Sequence, residues 1–316
     1  MSKFKIAITD CDHDSFEIEK NVLSKVGLSM EILQCKTESD LIEKCQGVHA
    51  VMNQYAPFTE NVLSKLPNLR LIVRYGVGVN NIDLKAASKY GVQVCNIPDY
   101  GMNEVADHAM ALTLALTRKI PFMSNLVKSG TWDYQKSIPI FRHRVQTVGV
   151  IGLGRIGAAY AKRVQAFGFE ILGCEQEGKK LPNFVKSVSF EELIQKSDII
   201  SIHCPSEGNI DLISKKELKM MKKTAYLINV SRGGIINEKD LNEALANKEI
   251  AGAGLDVASI EPIDIDSALL KHESLLITPH MAWYSEAAAA ELKRKVAEET
   301  IRMATGVDVH YPVNKI

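Results

Sequence analysis

The stretch that most constrains the fold runs from Val148 to Glu177, "VGVIGLGRIGAAYAKRVQAFGFEILGCEQE". A strand-like "TVGVI" leads into Gly152, Gly154 and Gly157, and a helix-like "RIGAAYAKRVQAFG" follows. Strand, glycine turn and helix in that order make an anion site, because unpaired N–H groups and the helix dipole point at whatever sits on the turn. Gly152 permits the tight turn, Gly154 the close approach of backbone to a pyrophosphate, and Gly157 the packing of helix on strand, with Arg155 and Ile156 in the same segment. Glu175 closes the next strand-like run, where it is placed to accept hydrogen bonds from an adenosine ribose and to repel a 2′-phosphate. NAD is therefore expected over NADP, a preference that Lys179 and Lys180 nearby weaken.

The motif begins almost halfway along a chain of 316 residues, a length that suggests two domains. Before it, apolar β-rich runs ("FKIAITD", "MEILQC", "HAVMNQ", "RLIVRYG", "VQVCNI") alternate with helix-like stretches. After it the alternation resumes through "FEILGCE", "DIISIHCP", "AYLINVSRGG", "IAGAGLDV" and "LLITPH". Runs apolar on every residue suit parallel strands covered on both faces, so both halves read as doubly wound α/β sheets. The apolar helix "NEVADHAMALTLALTRKI" should stop at Pro121, with the crossing between domains near it. A closing helix from Ser285, its cap, to Gly306, its stop, should return to the first sheet. The expected division is a substrate domain of residues 1–102 and 284–316 with a coenzyme domain, 103–283, inserted into it.

Composition excludes several partners. Lys plus Arg and Asp plus Glu both total 38, so no net charge draws the chain to nucleic acid or an acidic membrane. No signal peptide or membrane-length apolar run is present, which makes a soluble cytoplasmic protein the expectation. The six cysteines are scattered, so no metal site is expected and the thiols should be reduced and mostly buried.

Five ordered motifs, "RYGVGVNNID", "VGVIGLGRIG", "INVSRGGIINE", "GLDVASIEP" and "ITPHMAWYSEAA", resemble those of the D-isomer-specific 2-hydroxyacid dehydrogenases, over essentially the whole chain. The Trp after the histidine in "HMAWYSEA" and "HC" at His203 and Cys204 resemble the C-terminal-binding protein branch of that family. The resemblance implies a small-molecule 2-keto or 2-hydroxy acid substrate, NAD, and a homodimer built on the coenzyme domains. It places Arg232, Glu261 and His280 at the catalytic positions. It also implies that Asp256 binds the nicotinamide carboxamide and that His203, Pro205, Val230 and Ser231 line the cofactor. Arg74, the amides of Val77 and Gly78, and Trp283 would meet the substrate.

The chemistry of those residue types agrees with the implied roles. Reducing a 2-keto acid needs a fixed cation for the carboxylate and carbonyl, which a guanidinium supplies bidentately, and a proton donor for the developing alkoxide, which histidine supplies near neutral pH. A carboxylate beside the histidine favours the imidazolium and fixes the ring. Met281 and Trp283 suggest a large apolar wall and an apolar substrate side chain. Two alternatives stay open: an NAD(H)-sensing binding protein of the corepressor type, and a phosphoglycerate-type dehydrogenase, against which Trp283 and the lack of an appended domain after Ile316 argue.

Overall fold

The computed structural model describes residues 4–174 and 180–316. Its contacts separate into two units, Met1–Gly101 with Ser285–Ile316, and Met102–Tyr284. The joints fall at 101/102 and 284/285, where the sequence reading had placed them at 102/103 and 283/284.

The first unit is built on five strands, β1 (Ile6–Asp10), β2 (Met30–Ile32), β3 (Ala50–Asn53), β4 (Leu71–Arg74) and β5 (Gln93–Cys95). They pair in parallel in the order β2-β1-β3-β4-β5. β1 and β3 are buried at every position, which explains runs without polar alternation. The helix Glu286–Thr305 packs on β3, β4 and the helix Glu17–Ser24, so the end of the chain completes this unit. Ser285 Oγ accepts from Ala288 N at 3.0 Å, and Gly306 closes the helix at φ +74°, the cap and stop the sequence had marked.

The second unit carries β6 (Thr147–Ile151), β7 (Glu170–Gly173), β8 (Lys186–Ser187), β9 (Ile199–Ile202), β10 (Tyr226–Asn229), β11 (Gly252–Leu255) and β12 (Leu275–Ile277). These form a parallel seven-stranded sheet in the order β12-β11-β10-β9-β6-β7-β8. Strand side chains alternate between faces. Accordingly Val148, Val150, Ile199 and Ile228 join one apolar cluster while Ile151, Ile200, Ile202 and Leu227 join another. The first of these is closed by Met102–Thr117 packing on Arg155–Ala166.

Two elements differ from expectation. The two residues of β8 are exposed and carry too little apolar signal to be read. Pro121 does not end the preceding helix. That helix stops at Thr117, Lys119 turns the chain at φ +53°, and Pro121 sits in the first turn of the next helix, Ile120–Lys128, where its missing N–H costs nothing. No helix of the described residues is long and apolar enough to cross a membrane. All six cysteines are free, with Cys35, Cys45, Cys95 and Cys204 buried.

Candidate functional site

In open α/β sheets, function collects beyond the carboxyl ends of the strands. In the second unit that edge starts with the glycine turn between β6 and the helix Arg155–Ala166. Gly152 has φ +91°, and a Cβ there would lie 2.6 Å from Cys204 N. A Cβ on Gly157 would run into the Gly152 carbonyl oxygen. Both positions therefore demand glycine. Gly154, by contrast, faces open space and forms the N-cap without a side-chain hydrogen bond. No side chain at the cap competes for the amino-terminal end of this twelve-residue helix, where backbone N–H groups and the helix dipole favour an anion such as a dinucleotide pyrophosphate. Glu175, the expected ribose partner, and Lys179 lie outside the described residues.

The neighbouring strand ends supply the walls. His203, after β9, is half-buried, its Nε2 2.9 Å from Ser201 Oγ and its ring 5.0 Å from that of Tyr160. Burial holds it neutral, the pKa pushed down to about 3. Pro205 is exposed, Val230 is buried, and Ser231 Oγ donates to the Cys204 carbonyl. Asn229, buried at the end of β10, accepts from Ser231 N at 3.0 Å and donates to the Arg232 carbonyl at 2.9 Å. The loop is thereby fixed, and Arg232 Nη1 donates to the Ser231 carbonyl at 2.7 Å.

His280 and Glu261 meet at this edge, with His280 Nδ1 2.7 Å from Glu261 Oε2. Glu261 Oε1 accepts from Ala258 N at 3.0 Å. Burial alone would push the Glu261 carboxyl up. The His280 hydrogen bond, the Ala258 N–H and the charges of His280 and Arg232 outweigh it, and the carboxyl sits below its ordinary range. A group that stays ionised beside the ring fixes which nitrogen faces inward and leaves Nε2 for other work.

His280 has a left-handed backbone, φ +52°, an uncommon conformation for a residue with a side chain. Asp256, buried after β11, holds it there. Its backbone carbonyl accepts from His280 N at 2.9 Å, and its carboxylate accepts from Met281 N (3.0 Å), Ala282 N (2.8 Å) and Thr278 Oγ1 (2.6 Å). Thr278 Oγ1 in turn lies 2.9 Å from His108 Nε2. Sequence reasoning singled out neither Thr278 nor His108. The signal lay in a lone imidazole inside the apolar "VADHAMAL". After this turn, Met281 is exposed and Trp283 half-buried, its ring edge-on to Tyr284 at 5.5 Å.

In the first unit, Arg74 ends β4 and its guanidinium folds over Gly76, where a Cβ would collide with it. The amides of Val77 and Gly78 donate to no protein acceptor among the described residues, while Asn96 Nδ2 donates to the Val77 carbonyl at 2.6 Å and steadies the loop. Among the described residues, Cys11, Asp12 and His13 are the metal-type group, with ligand atoms within 4.8 Å. Burial pushes the Cys11 thiol up to about 12, which opposes the thiolate a metal would need.

A glycine turn of the dinucleotide-binding type and a guanidinium–imidazole–carboxylate set thus lie on one edge of the second sheet. Residues 110–282 match the family model described as D-isomer specific 2-hydroxyacid dehydrogenase, NAD binding domain. The chain is 36% identical over 303 residues to a D-3-phosphoglycerate dehydrogenase of Archaeoglobus fulgidus, covering 92% of this chain and 56% of that protein. It is 35% identical to a glyoxylate reductase of Korarchaeum cryptofilum, covering 92% and 91%. An acyclic imino acid reductase solved with NADPH and D-Arg superposes with a TM-score of 0.88 at 26% identity, covering 99% and 100%. The chain belongs to the D-isomer specific 2-hydroxyacid dehydrogenase family. It spans little more than half the length of the Archaeoglobus relative and nearly all of the Korarchaeum one.

Proposed function

We propose that the chain interconverts a 2-keto acid and its D-2-hydroxy acid with NAD. The observation that carries this reading is the His280–Glu261 pair at 2.7 Å, with the Arg232 charge acting on it, on the sheet edge that bears the open helix start at Gly154. The glycine turn, His203, Pro205, Val230, Ser231 and Asp256 would hold the coenzyme. When bound, the nicotinamide supplies or accepts a hydride.

Arg232 binds the substrate carboxylate and draws charge onto the carbonyl oxygen, a role suited to a planar cation that cannot lose its proton. His280 Nε2 gives a proton to that oxygen as it becomes an alkoxide, and takes it back in the other direction. Glu261, 2.7 Å from Nδ1, fixes the ring and leaves Nε2 facing the substrate. Asp256 holds the strained turn that aims the ring. Arg74, the amides of Val77 and Gly78, and Trp283 are assigned to the substrate, with an apolar side chain on it. The test is a steady-state screen of 2-keto acids with NADH and NADPH, which should show NADH-dependent reduction. A broad panel without turnover would end the reading.

The Archaeoglobus relative supports a second reading, a phosphoglycerate-type dehydrogenase, which kinetics with 3-phosphoglycerate would separate. Trp283 after His280 supports a place near the C-terminal-binding branch and hence a peptide-binding role; NADH-dependent capture on a peptide array would favour it. A homodimer is proposed from the run Ile120–Val145 in the second unit, where Ile120, Val127, Tyr134, Ile138 and Val145 are exposed and Trp132 is 89% so. Large apolar side chains exposed together along one stretch are the mark of an interaction surface. An open cavity of about 650 Å³ is lined by Arg118, Phe141, Arg142, His143, Arg144 and Phe167, four of them within this run. Sedimentation at micromolar concentration should give twice the chain mass, and Trp132→Asp should shift it toward the monomer. A cytoplasmic location is also proposed; fractionation of source cells checks it.

A further inference from the structure

The second unit gathers positive charge at a place that the proposed reaction does not use. Residues 141–144 lead into β6 at its amino-terminal end, and Phe167 follows the last residue of the helix Arg155–Ala166. The glycine turn leaves the other end of that strand and starts that helix, which at 1.5 Å per residue is about 18 Å long. Arg118, one residue past the helix Met102–Thr117, joins these segments around the open cavity of about 650 Å³, a size typical of small-molecule sites.

Arg118, Arg142 and Arg144 are exposed, and among the described residues none of the three guanidiniums donates to a protein acceptor or joins an ion pair. By contrast Arg163, Arg294 and Arg302 each meet a carboxylate within 3.2 Å. The acids bonded to Thr147 at the start of β6 are engaged by lysines, Asp198 with Lys222 at 2.8 Å and Glu170 with Lys186 at 3.9 Å. Among the described residues no carboxylate lines the cavity. Two helices end here, at Thr117 and Ala166, and their negative ends draw cations without satisfying the guanidinium N–H groups. Gly168, at φ +83°, lets Arg144 lie across it, since a Cβ there would stand 3.0 Å from Arg144 Cγ. His143 ties the loop down, its ring stacked on Phe169 at 4.5 Å and its Nε2 3.2 Å from Thr117 Oγ1. Burial and then the Arg118 charge push the His143 pKa down, so the ring stays neutral and adds a polar wall. Phe141 and Phe167 line the same cavity with 44% and 48% of their surface exposed.

We propose that this cavity binds a nucleoside di- or triphosphate, its phosphates on Arg118, Arg142 and Arg144 and its base on Phe141 and Phe167, at a site separate from the coenzyme's. Guanidiniums take phosphate oxygens in pairs, and a base stacks on an aromatic face whatever groups its edge carries. A second copy of the chain does not supply the missing acceptors. In a symmetric dimer the run meets itself, and between residues 120 and 145 it carries Lys128, Lys136, Arg142 and Arg144 against one acid, Asp133. A polyanion from outside offsets that excess. The site uses neither the helix start at Gly154 nor the His280–Glu261 pair, so it stands apart from the dehydrogenase reading.

The test is calorimetric titration of the NADH-saturated chain, its glycine turn occupied in advance, with ATP, tripolyphosphate and adenosine. ATP should bind with a dissociation constant below about 1 mM, roughly fivefold or more tighter than tripolyphosphate and tenfold or more tighter than adenosine. Arg142→Gln combined with Arg144→Gln should weaken ATP by about tenfold or more, and Phe141→Ala should bring ATP and tripolyphosphate to within about twofold of one another. NADH affinity should be unchanged in all of these variants. Where the double variant folds poorly by circular dichroism, Arg142→Gln alone is read, with a loss of about threefold or more expected. Absence of ATP binding, or equal ATP binding by the arginine variant and the unaltered chain, overturns the proposal. Tripolyphosphate bound as tightly as ATP overturns its nucleoside part. A chain that takes up no NADH ends the dehydrogenase reading instead, and the same arginine variants then decide this proposal on the unloaded chain.

Discussion

The two sheets share one construction and treat charge at the end of their first central strand in opposite ways. After β6 come glycines, an uncapped helix start and no acid in the first helical turn. β1 ends in Asp10 and is followed by Asp12 and Asp14, and the next helix begins with Glu17 and Glu19 in its first turn. An α/β unit offers an anion site at this point by default, through the helix dipole and unpaired N–H groups. The second unit has glycines and no acid at that point, whereas the first surrounds it with acidic side chains. Fold alone therefore does not say which half receives the dinucleotide; the residues at the turn do.

The largest effect expected from this asymmetry is at the charged set of the second unit. Replacing His280 or Arg232 by Ala should lower kcat/KM by roughly 10³-fold or more. The dissociation constant for NADH, from quenching of protein fluorescence, should stay within a few-fold for His280→Ala, because the dinucleotide is assigned to the glycine turn. Gly157→Ala tests the other component. Its Cβ would meet the Gly152 carbonyl, so NADH binding should fall by more than tenfold even where the variant remains folded. Equal binding by Gly157→Ala and the unaltered chain would remove the basis of the comparison.

Next in size is Asp256→Asn. The amide would present N–H to at least one of the three donors that the carboxylate now satisfies, at a cost of about 1–3 kcal/mol. Released from its hold, the left-handed turn at His280 should relax. Thermal unfolding and kcat should both report it, and His108→Ala should give a weaker version of the same change through Thr278.

A smaller effect should appear against pH. His203 keeps its neutral form in the folded state down to about 3, whereas in an unfolded chain it takes up a proton near 6.5. Its contribution is complete above about pH 6.5 and is lost as pH falls toward the folded value, by about 2 kcal/mol at pH 5. Denaturant titrations between pH 5 and 7 should show the slope, and His203→Asn should flatten it. Glu261 adds a term in the same direction at lower pH. Its folded pKa is depressed, so its stabilisation is present above the ordinary carboxylate range and disappears as pH falls through the lowered value.

How much of this was legible beforehand follows from which physics each element obeys. The strands declared themselves because parallel strands buried on both faces leave continuous apolar runs, and eleven of the segments read from the sequence contain strands of the two sheets. β8 did not, being two exposed residues paired only at an edge. The Pro121 expectation failed because proline is excluded from helix interiors but welcome in a first turn, and the break belonged to Lys119, whose left-handed backbone no side-chain pattern announces. At the site, Arg232, Glu261 and His280 were found through ordered motifs. The network behind them, Thr278, His108 and the role of Asp256 in bracing the turn, depends on contacts between β11, the segment after β12 and a helix about 150 residues earlier. Spacing along the chain carries no trace of those.

The most direct test of the central claim is paired: the steady-state rate of NADH oxidation with a 2-keto acid of apolar side chain, and NADH affinity, for the unaltered chain and for His280→Ala. The account predicts turnover in the first, loss of roughly 10³-fold in the second, and comparable NADH binding in both. Undiminished turnover in His280→Ala, or an unaltered chain that binds NADH and reduces no keto acid offered, would contradict it.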